Sequence, residues 1–100
     1  MSPYEEALYR RTDEVLHYVW DPAGVSNSPV AKDEYDSYLL TIFGMLRNGD
    51  SEKAIATRLD SLEERDFGLE PDTEMTSHVA EILIEWREIL SAKYGENSEK

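Results

Sequence analysis

Hydrophobic residues recur at spacings of three and four in four separate stretches of the chain, and this spacing places side chains on one face of an α-helix. No stretch alternates with the period of a β-strand. The predicted helices cover about Pro3 to Trp20, Pro29 or Val30 to Arg47, Asp50 or Ser51 to the stop at Phe67-Gly68-Leu69, and Asp72 or Thr73 to Tyr94. Their connections predict an all-α fold, a four-helix up-and-down bundle with a longer first connection.

The apolar faces of these helices together form the predicted core. Helix four has the longest regular face, whereas the face of helix three is narrow. The charged residues of helix three, Glu63 among them, are expected on its opposite, polar face. The predicted core positions are Leu8, Thr12, Val15, Leu16, Val19, Tyr35, Tyr38, Leu39, Ile42, Phe43, Leu46, Ala54, Ile55, Leu59, Leu62, Met75, Val79, Ile82, Leu83, Trp86, Ile89 and Leu90.

Short-range signals mark where the helices begin and end. Ser2 and Glu5 have the spacing of a capping box, in which each side chain accepts a hydrogen bond from the other residue's amide. Pro22 disfavours the helical conformation for the residue before it and so ends helix one. Gly49 and Gly68 follow helices two and three, at the place where a residue in the left-handed conformation commonly closes a helix.

The length of 100 residues predicts one helical domain, residues 1–95, followed by a frayed polar tail at 96–100. The chain has no cysteine, so it has no disulfide or thiolate metal site, which fits a reducing compartment. Its longest apolar run, Tyr38 to Leu46, is too short to span a bilayer. No basic-then-apolar leader is found at the N-terminus. These features predict a soluble, cytoplasmic protein without a membrane segment.

The balance of charges narrows the choice of partners. The chain has 22 acidic and 10 basic residues, which give a net charge of −12. Nucleic acids and anionic membranes are bound through cationic side chains, so this composition argues against both as direct partners. A basic protein surface is the natural partner, because complementary fields speed encounter. The alternative is that the charge only keeps a small protein in solution.

The side chains that could carry catalysis or bind a metal do not form a complete site in the sequence. Glu14 and His17 lie one helical turn apart, as in di-iron bundles, but those bundles need a second such pair and two further glutamates. His78, between Glu74 and Glu81, gives at best half a metal site. Neither a nucleophile elbow nor a phosphate-binding glycine loop is present. We therefore expect no enzyme activity, no metal and no cofactor.

Acidic and aromatic residues cluster where helix one ends and helix two begins, and again at the end of helix three. Tyrosines beside carboxylates are typical of protein interfaces. The alternatives are that the early acids of helix two serve its dipole, and that Tyr35 and Tyr38 are core residues. The predicted partner-binding residues are Asp21, Asp33, Glu34, Tyr35 and Asp36 in a first patch and Glu63, Glu64 and Asp66 in a second patch.

Two motifs in this region carry a resemblance to a known group of proteins. They are His17-x-x-Trp20-Asp21-Pro22-x-Gly24-Val25 and Asp33-Glu34-Tyr35-Asp36-x-Tyr38, within a similar stretch from Thr12 to Leu69. This pattern resembles small, acidic, all-helical bacterial proteins, several of which are known only as domains of unknown function. Others of this kind are immunity proteins paired with secreted or contact-delivered toxins. The resemblance implies a cytoplasmic protein that protects its producer by binding a cognate toxin.

The residues and the resemblance together predict an immunity protein that covers the active cleft of a basic toxin, for example a nuclease. The alternative is an intracellular helical adaptor that binds a helix of its target protein. We expect the free chain to be a monomer or a weak homodimer, the latter formed through the apolar stripe of helix four.

Overall fold

A computed structural model describes residues 1–20, 32–66, 68 and 70–94 of the protein, with the side chains of 32–35 and 66 outside that description. Helix α1 covers Pro3–Val15 and continues into a π-helical turn at Leu16–Trp20. Helix α2 covers Lys32–Asn48. Helix α3 covers Glu52–Ser61 and also ends in a π-helical turn, Leu62–Asp66. Helix α4 covers Thr73–Tyr94.

Helix α4 is the element around which the others pack. It contacts α1, α2 and α3, and α1 also contacts α2. The buried residues form one hydrophobic cluster with members from all four helices, so the bundle has a single core. The described residues contain no β-strand, and the predicted all-α bundle is confirmed.

The start of α1 has the predicted capping box. The Glu5 amide donates to Ser2 Oγ at 3.1 Å, and the Ser2 amide donates to Glu5 Oε1 at 3.0 Å. These reciprocal bonds satisfy amides that the first turn of a helix leaves without partners. At α3, Ser51 is the capping residue, and its Oγ accepts from the Ala54 amide at 3.1 Å.

The end of α2 is closed by a Schellman motif and by an arginine from another helix. Gly49 has a φ of 86°, and the Asp50 amide donates to the Met45 carbonyl at 3.0 Å. Nη1 of Arg87 in α4 donates to the carbonyls of Leu46 at 3.2 Å and Asp50 at 2.9 Å. The negative end of the α2 dipole is thus neutralised by a cation of α4.

The π-helical turn at the end of α1 changes which residues face the core. A π turn has hydrogen bonds from i to i+5 and more residues per turn than an α-helix, so it rotates the following side chains relative to the regular pattern. Trp20 is therefore buried, at 5% exposure, whereas Val19 is 36% exposed. The prediction that Val19 belongs to the core is wrong for this reason.

Helix α4 buries Thr76, Val79, Ala80, Leu83 and Leu90. Thr76 was not expected in the core. Its hydroxyl lies 2.6 Å from Asp60 Oδ1 and 3.2 Å from the Thr73 carbonyl, so the group remains hydrogen-bonded although it is buried.

Two residues predicted in the core from α4 are exposed instead. Met75 is 37% exposed and Ile89 is 54% exposed. At 100° per residue both lie outside the buried arc on the same side, Met75 by about 40° and Ile89 by about 80°, so the arc is narrower than the predicted apolar stripe.

Several predicted features lie outside the described residues. They are the stop at Pro22, the longer first connection, the start of helix two at Pro29 or Val30, and the tail at 96–100. Gly68 has a φ of 66°, as predicted for the stop after helix three, although Phe67 and Leu69 beside it are not described. Among the helices that are described, none combines the length and the apolar character needed to cross a membrane.

Candidate protein-binding surface

The exposed face of α4 carries all of the acidic residues of that helix, Glu74, Glu81, Glu85 and Glu88. At 100° per residue these four positions fall within an arc of about 60°, on the side opposite the buried residues. With a rise of 1.5 Å per residue they extend over about 21 Å. We call these four residues the α4 ridge.

The cations of α4 do not neutralise this ridge. Arg87 is turned toward the end of α2, where it caps two carbonyls. Lys93 lies in the last turn, with its Nζ 5.5 Å from the centre of the Tyr94 ring. Glu81 and Glu85 are four residues apart, a spacing at which like charges destabilise a helix by about 0.2–0.5 kcal/mol. The ridge therefore has an energetic cost and no partner among the described cations of its own helix.

In the second predicted patch, Glu63 is buried whereas Glu64 is exposed. Glu63 is 5% exposed, and its carboxylate accepts hydrogen bonds from Trp20 Nε1 at 2.8 Å and from the Asp72 amide at 2.9 Å. The expectation that Glu63 lies on a polar outer face is therefore wrong. Glu64 is exposed, and the side chain of Asp66 lies outside the described residues.

The bonds of Glu63 join three parts of the fold. Trp20 ends the π turn of α1, Glu63 lies in the π turn of α3, and Asp72 precedes α4. The carboxylate therefore fixes where the two π turns meet the start of α4. Glu63 follows the buried residue Leu59 by four positions, and this spacing was the signal in the sequence that it would face inward.

The start of α4 continues the acidic surface. Asp72 is the capping residue, and its Oδ1 accepts from the Met75 amide at 3.1 Å. Its side chain is exposed, as are those of Glu70 and Glu74. The Asp72 amide is bonded to the buried Glu63 carboxylate, so the second predicted patch is joined to the start of α4 through Glu63.

The first predicted patch is described only in part. Asp33, Glu34 and Tyr35 lie in the first turns of α2, but their side chains are not among those described. Asp36 is half-buried, and Asp21 lies outside the described residues. Tyr38 is in the core at 6% exposure, with its ring centre 6.4 Å from that of Trp20. The core interpretation of Tyr38 is therefore confirmed.

The histidines and carboxylates considered as metal ligands lie in α1 with its π-helical turn and in α4. Glu14 Oε1 lies 2.7 Å from Arg11 Nη1, and the ring of His17 contacts Tyr18 with centres 4.6 Å apart. His78 is exposed beside the α4 ridge. Within the described part of the chain, no three such side chains converge as metal ligands would.

A shallow groove of mixed polarity lies on the outer side of α2. Leu40, Thr41, Gly44 and Met45 line one part of it, and Arg47, Asn48 and Asp50 line the rest; Leu40 is 56% exposed. A Cβ added at Gly44 would meet nothing within 4 Å, so packing within the described structure does not require glycine there. This groove was not predicted from the sequence, because Leu40 was assigned to neither face.

Comparison with known proteins gives no match to a family model, to a curated protein or to a solved structure.

Proposed function

We propose that this chain is an immunity protein, which binds a cognate bacterial toxin domain with a basic surface and neutralises it by covering its active cleft. The observation that carries the proposal is the α4 ridge, a row of exposed carboxylates without a neutralising partner on its own helix. The resemblance of the Trp20-Asp21-Pro22 corner to small immunity-type proteins gives the class of partner.

The physics of the ridge suits a cationic partner. Charges fixed on a rigid helix produce a field that accelerates the diffusional approach of an oppositely charged surface. A toxin that acts on nucleic acid must present cations around its cleft, because it binds phosphates there. An acidic helix lying across such a cleft would match its charge and exclude the substrate.

A growth assay tests this proposal. Each reading frame encoded beside the gene is expressed in a host with and without this chain, and survival is compared for any frame that is toxic alone. We expect the wild-type chain to protect. Failure of the chain to bind or protect against a neighbouring toxin would contradict the proposal.

The groove on α2 supports the second candidate, an adaptor that receives a helix of its target. An exposed leucine beside a helical glycine allows another helix to approach the backbone closely. The substitution Leu40→Asp separates the two functions. It is expected to abolish binding by an adaptor and to leave protection by the α4 ridge intact.

A further inference from the structure

Helix α4 has a row of apolar side chains that the bundle leaves partly uncovered. Met75, Ile82 and Ile89 follow one another at intervals of seven residues. Met75 is 37% exposed, Ile82 is half-buried and Ile89 is 54% exposed. At 100° per residue they fall within an arc of about 40°, between the buried residues of α4 and the α4 ridge. We call these three residues the apolar row.

The apolar row and the α4 ridge share one register. Each residue of the row directly follows a glutamate of the ridge, and these glutamates are Glu74, Glu81 and Glu88. With a rise of 1.5 Å per residue, the two rows extend side by side over about 21 Å. Apolar residues repeated every seven positions with charges beside them are the pattern by which one helix packs against another, and the charges select the partner.

The apolar row is bounded differently on its two sides. On the side toward the buried residues lies Trp86, and Arg11 of α1 lies 4.7 Å from the centre of its ring. On the other side lie the exposed residues His78 and Glu85. Among the described side chains, no lysine or arginine forms an ion pair with a ridge glutamate. The open side of the row is therefore acidic.

The ridge argues against a second copy of this chain as the occupant of the row. Two antiparallel copies would place both ridges on the same side of the interface, where like charges repel. Two parallel copies would set Val79, Trp86 and Lys93 of one copy against the three glutamates of the other, so that only the last glutamate would meet a cation. A helix with its own row of cations suits the surface better than either arrangement.

We infer that the apolar row binds an amphipathic helix of a partner protein. The apolar side of that helix covers Met75, Ile82 and Ile89, and lysines or arginines along its edge lie against the α4 ridge. A row with a seven-residue repeat drifts by about 20° per repeat around an α-helix, so the partner helix would cross α4 at about 20°. This inference rests on the proposed function in one respect, since the toxin would supply the helix.

A fluorescence anisotropy titration of a labelled peptide with the full chain tests this without the natural partner. The probe peptide has three heptads, with leucine at the first and fourth positions, lysine at the fifth and seventh, and alanine elsewhere. One control peptide has glutamine in place of leucine, and the other has glutamate in place of lysine. We expect the leucine-lysine peptide to bind at least tenfold more tightly than either control at physiological salt.

Matched variants of the chain locate the binding site. Ile89→Gln removes one member of the apolar row, and Leu40→Gln is the control, because Leu40 on α2 is 56% exposed and Ile89 is 54% exposed. We expect Ile89→Gln to weaken binding of the leucine-lysine peptide about tenfold, which corresponds to the loss of one covered aliphatic side chain. Leu40→Gln should bind as wild type does. Thermal melts show whether each variant keeps the fold.

A second pair of variants tests the ridge. Glu81→Gln combined with Glu88→Gln should weaken binding of the same peptide about two- to tenfold, because two exposed ion pairs are lost. Glu6→Gln combined with Glu52→Gln makes the same change in net charge at exposed positions of other helices and should bind as wild type does.

Four results would overturn this inference. They are the absence of binding, equal binding of the leucine and glutamine peptides, a loss of binding in Leu40→Gln rather than in Ile89→Gln, and a dimer of the free chain that Ile89→Gln dissociates in sedimentation. The growth assay decides the immunity function separately from all four. Conversely, peptide binding at the apolar row combined with failure of the growth assay would remove the toxin and keep the helix-binding site.

Discussion

Glu63 shows how one side chain can organise this bundle. Its two carboxylate oxygens accept from Trp20 and from the amide of Asp72, and the side chain is almost wholly buried. A buried carboxylate is tolerated when donors replace the water that it has lost. The residue therefore serves the fold, whereas its neighbour Glu64 in the same predicted patch is exposed.

Replacing Glu63 should leave two donors without an acceptor. We expect Glu63→Ala to lower the free energy of unfolding by about 2–3 kcal/mol, because each buried donor left unsatisfied costs about 1–3 kcal/mol. Glu64→Ala is the control, and as a surface change it should stay within about 0.5 kcal/mol of wild type. Urea denaturation measures both. Equal stability of the two variants would show that the Glu63 bonds contribute nothing.

Substitution by alanine is expected to have opposite effects on stability at Gly44, within α2, and at Gly49, which follows it. Gly44→Ala should stabilise the chain by about 1 kcal/mol, because it lies within the helix with open space around it. Gly49→Ala should destabilise it by about 1 kcal/mol, because its φ of 86° suits glycine. In thermal melts of a domain this size, 1 kcal/mol corresponds to a shift of about 4–8 °C. A lower melting temperature for Gly44→Ala would contradict the assignment.

At the scale of the elements, local signals in the sequence predicted the helix ends well. The capping box at Ser2, the cap at Ser51 and the stop at Gly49 are confirmed, because each depends on residues a few positions apart. The burial of Leu8, Ile42, Leu59 and Leu83 follows equally from periodicity.

The π turns could not be predicted in the same way. The contact that accompanies them joins Trp20 to Glu63, which are 43 residues apart. Periodicity assumes a regular helix, so it placed Val19 in the core and missed Trp20. The α4 ridge was missed for a related reason. Each glutamate on an outer face is ordinary, and the lack of a cationic partner within α4 emerges once Arg87 is seen to bind α2.

Arg87 joins α4 to the end of α2, and its replacement should destabilise that end of α2. We expect Arg87→Met to lower the free energy of unfolding by about 1–3 kcal/mol, because two carbonyls lose a charged donor while the aliphatic packing is kept. Arg58→Met, at an exposed position of α3, makes the same change in net charge and should have little effect. Denaturant titration compares the two. An equal loss in both variants would mean that net charge, not the cap, is responsible.

At the scale of the molecule, part of the net charge of −12 is concentrated on one surface. The α4 ridge concentrates four carboxylates along one helix, next to the exposed acids at its start. Repulsion along this row opposes folding slightly, and a cationic partner would relieve it on binding. Under the proposed function, the ridge would attract a basic protein surface.

The most direct test is the association rate with a toxin domain identified by the growth assay, measured by stopped flow over a range of salt concentrations. Glu81→Gln combined with Glu85→Gln removes two charges from the ridge, and Glu6→Gln combined with Glu52→Gln removes two exposed charges from other helices. We predict that the ridge variant associates about tenfold more slowly at low salt and that the control stays near wild type, with the difference vanishing as screening increases. Equal association rates for the two variants would contradict the central role of the ridge.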